Sequence, residues 1–291
     1  MPLVNAGRRV YLHEGDLLDQ GSLNRVVSKV NPNFIFHLAA QSYPTASFAS
    51  PVATLDTNIL GTARLLEAIA AHGESPRVHV CSSSEVYGRV DRKHLPISEE
   101  APFGPASPYS ISKIGTDLLG QFWAEAYGVD VLVTRMFTHT GPRRGDVFAE
   151  SSFAKQIALI EQDAIEPIIR VGNLNSLRTW SDVRDAVRAY YLLLTSDLPP
   201  GEVYNIGGDY SCTVGDMLKH LIGLSTRKDA IRVEVDPSRL RPLDADLQVP
   251  TTEKFRVATG WSPEIGFDTT MNDLLNYWRA NVATQAVSSR R

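Results

Sequence analysis

A tyrosine and a lysine four residues apart, Tyr109 and Lys113, are the side chains of this sequence best suited to acid–base chemistry. Pro108 precedes them, and proline is well tolerated in the first turn of a helix, so a helix is predicted from Pro108 to about Tyr127. A separation of four residues places both side chains on one helical face. An ammonium group near a phenol favours the phenolate. We therefore expect Lys113 to lower the pKa of Tyr109 and to make it an acid–base group near neutral pH.

Polar side chains follow three β-rich runs of the sequence. The run at 77–82 leads into Ser83-Ser84-Glu85, the run at 34–39 ends in HLAAQS, and the run at 129–137 leads into FTHTGP. A tyrosine–lysine pair is common on helix surfaces, and a serine run is common in turns, so each feature alone predicts little. In doubly wound folds, however, ligands bind outside the carboxyl ends of the strands. Convergence of several polar strand ends predicts a ligand site there.

The elements that would position these residues alternate between strand and helix patterns. Strands are predicted at 9–13, 34–39, 77–82 and 129–137, and helices at 21–30, 54–72 and 108–127. Further helices are predicted at 151–162 and 181–194, with strands near 167–171 and 202–206. Parallel strands joined by helical crossovers form a sheet covered on both faces. The predicted class is therefore α/β, a Rossmann-like doubly wound parallel sheet with a smaller mixed α/β substrate domain.

Composition narrows the range of partners. The chain has 291 residues, 43% of them hydrophobic and 21% charged, with a formal charge of −4. A nucleic-acid-binding surface would normally carry a basic excess. The two cysteines, Cys81 and Cys212, have no metal-ligand or disulfide-framework spacing, and the sequence has neither a signal peptide nor an apolar stretch of about 20 residues. We therefore expect a cytoplasmic protein with no metal, no nucleic-acid partner and no membrane partner.

Several motifs together resemble one family. HLAAQS, SSSEVYG, PYSISK and FTHTGP occur in this order and are followed by GNLNSLRTWSDVRDA (172–186), VYNIGG (203–208), RLRP (239–242) and TGWSP (259–263). The set resembles the extended short-chain dehydrogenases/reductases that act on nucleotide sugars, and the resemblance covers about residues 9–278. Within that family it is most similar to GDP-mannose 4,6-dehydratase and to GDP-4-keto-6-deoxy-D-mannose reductase, which acts on the dehydratase product.

The resemblance implies an NADP cofactor, with NAD possible, and a GDP-hexose substrate. Tyr109 would exchange a proton with the sugar O4 during hydride transfer at C4, Lys113 would hold the nicotinamide ribose, and Ser83 would hydrogen-bond the same sugar oxygen. Arg178 and Arg241 would clamp the diphosphate, a role suited to guanidinium geometry. The resemblance also implies that Asp16 and Leu17 contact the adenine of the cofactor. Its other implied cofactor contacts are Leu38, Ala39, Ala40, Ser42, His139 and Arg144.

Two residues bear on the reaction within this resemblance. After oxidation at C4 the C5 proton becomes acidic, and Glu85 could remove it as water leaves C6; a ketoreductase needs no such base. Ser84 and Glu85 fit the dehydratase loop and favour the dehydratase, with Ser84 among the substrate contacts. Thr138, a second implied substrate contact, stands where both enzymes usually have asparagine. Segments 153–157, 166–169 and 182–185 are more similar to the reductase. A 4-epimerase and a non-catalytic nucleotide-sugar-binding homologue are further alternatives.

The family's first strand and glycine-rich phosphate loop have no counterpart, since the early glycines Gly7, Gly15 and Gly21 do not fit GxxGxxG. We expect a chain that starts inside the dinucleotide domain, because of a late start, a shortened gene or a fragment. The predicted domains are 1–146 for the dinucleotide, 147–282 mainly for the substrate, and a flexible tail at 283–291. Helices 54–72 and 108–127 predict a homodimer or homotetramer.

Overall fold

The computed structural model describes residues 10–73 and 75–288, with side chains to residue 284. Its first sheet is parallel throughout, with the order β1-β2-β3-β7. The strands are β1 (Phe34–His37), β2 (Arg77–Cys81), β3 (Val131–Met136) and β7 (Val203–Ile206). Strand β3 is buried along its whole length, as expected for a central strand covered on both faces. The α/β prediction is therefore confirmed.

Helices cover both faces of this sheet. One face holds α1 (Gln20–Val30), α4 (Gly61–His72) and α5 (Pro108–Tyr127), whose apolar side chains pack with Val78, Val80, Val131 and Val133. The opposite face holds α7 (Val183–Thr195) and α9 (Glu253–Thr259), which pack around Leu132, Ile206 and Trp261. Burial of these two apolar layers stabilises the sheet that carries the polar loops.

The second part of the chain builds a separate hydrophobic cluster. It contains α6 (Ala149–Glu161), α8 (Val214–Gly223) and α10 (Phe267–Ser288), packed on β5 (Ile168–Val171) and β6 (Leu177–Asp182). Strand β6 pairs in parallel with β4 (His139–Thr140) and β10 (Leu247–Gln248) and antiparallel with β8 (Tyr210–Thr213), while β5 pairs with β9 (Arg232–Val235). Residues 283–288, predicted to belong to a tail, continue helix α10.

The strand predicted at 9–13 is wrong for the described residues 10–13, which form no strand. A strand needs a hydrogen-bonding neighbour, and among residues 10–73 and 75–288 β1 pairs with β2 alone. The outer edge of β1 consequently exposes Phe34 and Phe36. A local apolar pattern predicts an extended segment but cannot supply the strand beside it.

The helix predicted at 54–72 is confirmed in outline, but it is not uniform. Short helices α2 (Pro44–Ala49) and α3 (Pro51–Leu55) precede a π-helical turn, Asp56–Leu60, which continues directly into α4. Single π turns occur frequently at functional sites. This turn contains Asn58, a buried polar residue whose contacts reach the candidate site.

A buried ion pair ties α5 to β3. The Arg135 guanidinium donates to both carboxylate oxygens of Asp117, at 2.9 and 3.0 Å, and both side chains are almost fully buried. Arg135 also donates to the Tyr87 hydroxyl at 3.0 Å, and that hydroxyl donates to the Asn205 side chain at 2.7 Å. The network links the helix that carries Tyr109 to two neighbouring strands.

Candidate active site

Helix α5 begins where the sequence predicts, and its first turn fixes the position of Tyr109. Ser107 is the N-cap, with its side chain accepting from the Ser110 backbone N–H, and the Ser110 hydroxyl accepts in return from the Ser107 N–H. This reciprocal arrangement is a capping box. The Tyr109 N–H, a further helix-end donor, reaches the buried Ser47 hydroxyl at 3.1 Å. Tyr109 and Lys113 are both buried, at 8% and 6% exposure.

The acid–base character of Tyr109 differs from the sequence prediction. Burial raises the pKa of Tyr109 well above its ordinary value, more than the nearby Ser83 hydroxyl and the charge of Arg144 lower it. The Lys113 Nζ donates to the Cys81 carbonyl at 2.7 Å. Burial also lowers the pKa of Lys113. The predicted lowering of the Tyr109 pKa is therefore wrong for the free chain, in which this phenol keeps its proton.

The turn after β2 brings Ser83 and Glu85 to Tyr109. Ser83 caps a short 3-10 turn, Ser84–Val86, and its hydroxyl accepts from the Glu85 N–H at 3.2 Å. The Glu85 carboxylate is close enough that its charge raises the pKa of Tyr109. Gly88 closes the loop with φ of 53°, where a Cβ would lie 1.5 Å from the Gly104 carbonyl oxygen. Only glycine fits there, which explains the last residue of SSSEVYG.

Glu85 also faces the arginines of the second part of the chain. Its Oε1 lies 3.3 Å from Nη1 of Arg178. The Asp244 Oδ1 lies 3.5 Å from Nη2 of Arg178 and 3.5 Å from Nη1 of Arg241. Asp244 further accepts from the Asn173 amide at 3.2 Å. The two arginines predicted to bind diphosphate thus meet at one carboxylate, and one of them is paired with the predicted C5 base.

The loop after β1 forms an open ledge held in place by Asn58. Leu38, Ala39 and Ser42 are exposed, and Ala40 is half-buried. The Asn58 side chain accepts from the Gln41 N–H at 2.8 Å and donates to the Gln41 carbonyl at 2.9 Å and to Ser112 on α5 at 2.8 Å. Sequence reasoning missed Asn58. A polar residue among the apolar positions of an amphipathic helix was the available signal.

The loop after β3 carries the other predicted contacts. The Thr138 carbonyl accepts from the Ser181 N–H, and His139 Nδ1 lies 3.2 Å from the Phe137 carbonyl. Arg144 stacks 3.4 Å over the Phe148 ring and donates to Glu150 at 3.2 Å. A cavity of about 570 Å³ lies here, lined in part by His139, Thr140 and Arg144. Asp16 and Leu17, by contrast, lie before α1, where Leu17 packs against Gly61.

The nicotinamide half of a dinucleotide fits this arrangement better than its phosphates. Tyr109 and Lys113 lie four residues apart on α5, and the Lys113 ammonium has a backbone carbonyl as its partner, which a ribose hydroxyl could replace. In the described residues, no glycine-rich turn at a helix N-terminus adjoins β1 to receive a pyrophosphate. The residues present would therefore hold the nicotinamide ribose and leave the phosphates without backbone donors of that kind.

Two buried histidines behind Lys113 predict acid sensitivity of the fold. Burial, reinforced by the charge of Lys113, lowers the pKa of His37 to about 4. Burial, reinforced by the charges of His37 and Lys113, lowers the pKa of His79 to about 3. In the unfolded chain both protonate near pH 6.5, so the unfolded state binds more protons below that pH. The free energy of unfolding should then fall from about pH 6.5 downwards, by roughly 2 kcal/mol per histidine at pH 5.

Urea unfolding at pH 7 and pH 5 measures this effect. His79→Gln should reduce the difference between the two pH values, because one of the two proton-linked groups is gone. His13→Gln, at an exposed position before α1, is the matched control and should leave the difference unchanged. An equal pH dependence in wild type and His79→Gln would show that burial does not keep His79 neutral.

A parallel sheet with helices on both faces, and with Ser83, Tyr109 and Lys113 at its carboxyl edge, defines the extended short-chain dehydrogenase/reductase class. The chain belongs within it to the GDP-mannose 4,6-dehydratase family, whose model matches residues 2–274. Members of this family are NAD(P)-dependent enzymes that modify sugar nucleotides. The resemblance derived from the motifs is thereby confirmed.

Individual relatives agree with this assignment. GDP-6-deoxy-D-mannose reductase of Pseudomonas aeruginosa is 33% identical over 270 residues, covering 93% of this chain and 88% of the relative. GDP-mannose 4,6-dehydratase of Vibrio cholerae is 31% identical over 293 residues, covering 91% and 77%. Among solved structures, RMD from P. aeruginosa complexed with NADPH superposes with a TM-score of 0.85 at 31% identity, covering 96% of this chain and 94% of that one.

No helix within residues 10–73 and 75–288 has the length and apolar character to cross a membrane.

Proposed function

We propose that this chain is an NADP(H)-dependent GDP-mannose 4,6-dehydratase. The observation that carries the proposal is the Glu85 carboxylate, which stands one turn from Ser83 and within electrostatic reach of Tyr109. Loss of water across C5 and C6 requires a base for the C5 proton, and reduction of a ketone does not. A cytoplasmic location would match a substrate and a cofactor that are both nucleotides.

Each residue has a role in this proposal. Tyr109 would take the O4 proton in its phenolate form, which the positive charge of a bound oxidised nicotinamide would favour over the protonated phenol of the free chain, and Ser83 would hold the same oxygen. Glu85 then removes the C5 proton while the C6 hydroxyl leaves as water with the proton held by Tyr109, and Glu85 returns its own proton to C5 when C6 is reduced. A bound nicotinamide would supply the hydride chemistry of both steps, the oxidation at C4 and the reduction at C6. Lys113 holds the nicotinamide ribose, while Arg178 and Arg241 neutralise the diphosphate.

Mass detection of the product tests the proposal. Purified chain is incubated with GDP-mannose and NADP, after fluorescence titrations with NADPH and NADH that use its four tryptophans. A product lighter than the substrate by one water supports the dehydratase. An isobaric product would indicate a 4-epimerase instead. GDP binding without dinucleotide binding would indicate a nucleotide-sugar-binding homologue that does not turn over.

The reductase is the second candidate, supported by the 33% identity with the P. aeruginosa enzyme. In this reading Tyr109 protonates O4 as C4 is reduced, and Glu85 has no chemical step. Incubation with GDP-4-keto-6-deoxymannose and NADPH separates the two candidates. Consumption of NADPH with a product two hydrogens heavier would support the reductase.

A homodimer is also part of the proposal. Helix α5 carries Ile111, Leu118 and Phe122 on its outward side, each about half exposed. Leu60, the residue directly before α4, is also exposed. A second copy of the chain would bury this row of apolar side chains. Light scattering should give twice the chain mass for wild type and the chain mass for Phe122→Glu. Val257→Glu, at an exposed position of α9, should remain dimeric; a monomeric wild type at micromolar concentration would contradict the prediction.

A further inference from the structure

Four charged side chains meet where the proposed base adjoins the proposed diphosphate clamp. Arg178 lies between two carboxylates, Glu85 at 3.3 Å and Asp244 at 3.5 Å, and Asp244 also contacts Arg241 at 3.5 Å. The cluster contains two positive and two negative groups, so its formal charges cancel. The side chains of Arg178 and Glu85 are each 13% exposed, which leaves their attraction only weakly screened by water.

The ion pair conflicts with the roles that the proposed function gives to its two members. Arg178 should bind phosphate oxygens, but its Nη1 already donates to Glu85 and its Nη2 to Asp244. Glu85 should accept a proton from carbon, but its Oε1 already accepts from Arg178. Both roles therefore require the pair to open.

The substrate carries the group that can open it. A nucleotide diphosphate presents several anionic oxygens, and guanidinium groups bind phosphate in two-bond geometry at least as well as they bind carboxylate. Because the four formal charges of the cluster cancel, the entering negative charge is repelled by Glu85 and Asp244 while it is attracted by the arginines. The arrangement with the least repulsion has phosphate on Arg178 and Glu85 turned away from it.

We propose that the Glu85–Arg178 ion pair is a gate opened by the substrate's diphosphate, so that Glu85 becomes free to act as a base only when a nucleotide sugar is bound. The inference rests on the proposed function. Asp244 is a positioning residue in it: it holds Arg178 and Arg241 together in the empty site and remains with Arg241 when Glu85 leaves. Without diphosphate, no unpaired carboxylate from this cluster stands beside Tyr109.

Binding of GDP and of guanosine to the full chain tests the gate, because guanosine lacks the diphosphate. Dissociation constants are measured by calorimetry for wild type, Glu85→Gln and Asp246→Asn. Glu85→Gln removes the competing charge, so its GDP dissociation constant should fall about tenfold, while that for guanosine stays unchanged. Asp246→Asn is the matched control: Asp246 lies two residues from Asp244 and accepts from Asn173 and Ser176, and its loss should change neither constant.

The other possible outcomes distinguish a failure of the gate from a failure of the proposed function. GDP binding that is unchanged or weaker in Glu85→Gln, with guanosine binding intact, would overturn the gate and leave the proposed function standing. Failure of wild type and Glu85→Gln to bind either ligand would overturn both. A crystal structure with GDP gives the direct measurement: the Arg178 Nη1–Glu85 Oε1 separation should exceed 4 Å, and a pair that persists at 3.3 Å beside bound GDP would refute the inference.

Discussion

Tyr109→Phe is expected to lower kcat by about 10³-fold while the chain stays folded. The substitution removes one hydroxyl and keeps the ring, which is 8% exposed and occupies the first turn of α5. In the free chain the phenol keeps its proton, because burial raises the pKa of Tyr109 more than Ser83 and Arg144 lower it. Without the hydroxyl, no group at that position exchanges the O4 proton. Product formation by mass detection and the midpoint of urea unfolding measure the two effects separately.

Tyr204→Phe is the matched control for this prediction. Tyr204 is also buried, at 3% exposure, but it lies on β7 and packs against Phe255 away from the Ser83 turn. Loss of its hydroxyl should leave turnover near the wild-type value. If Tyr109→Phe kept more than about a tenth of the wild-type kcat, Tyr109 would not be the acid–base group of this site.

The sequence predicted the elements whose signals are local. Helix α5 runs from Pro108 to Tyr127 as predicted, because Ser107 and Pro108 mark its start and Gly128, with φ of 67°, ends it. Strands β2 and β3 follow apolar runs with β-branched residues, and their parallel pairing confirms the crossover argument. The strand at 9–13 could not be judged in this way, since an apolar run is a strand only when another strand lies beside it.

The residues of the site could be predicted from the sequence better than their pKa values and ion pairs could. The spacing of Tyr109 and Lys113 indicated a shared helix face, but the pKa of Tyr109 depends on how deeply the helix is buried, and burial is a tertiary property. The Glu85–Arg178 pair joins residues 93 positions apart, on a turn after β2 and on β6, and no local pattern relates them. The role of Asn58 likewise depends on a contact with Ser112, 54 residues away.

Asp117→Ala is expected to lower the free energy of unfolding by about 3–5 kcal/mol. Asp117 is fully buried and accepts twice from Arg135, whose side chain is 6% exposed, so the substitution leaves an uncompensated charge between α5 and β3. Breaking such a pair costs far more than replacing both members, because the cost comes from the charge that remains. The double variant Asp117→Leu/Arg135→Met should therefore recover much of the stability lost in Asp117→Ala.

Urea unfolding of the single and double variants distinguishes a buried ion pair from a dispensable one. Lys219→Ala breaks an exposed pair with Asp216, in which the lysine side chain is 80% exposed, and should leave the unfolding midpoint almost unchanged because water screens both charges. If Asp117→Ala were as mild as Lys219→Ala, water would have to reach Arg135 in the native state. The helix that carries Tyr109 would then be held to the sheet without a contribution from the Arg135–Asp117 pair.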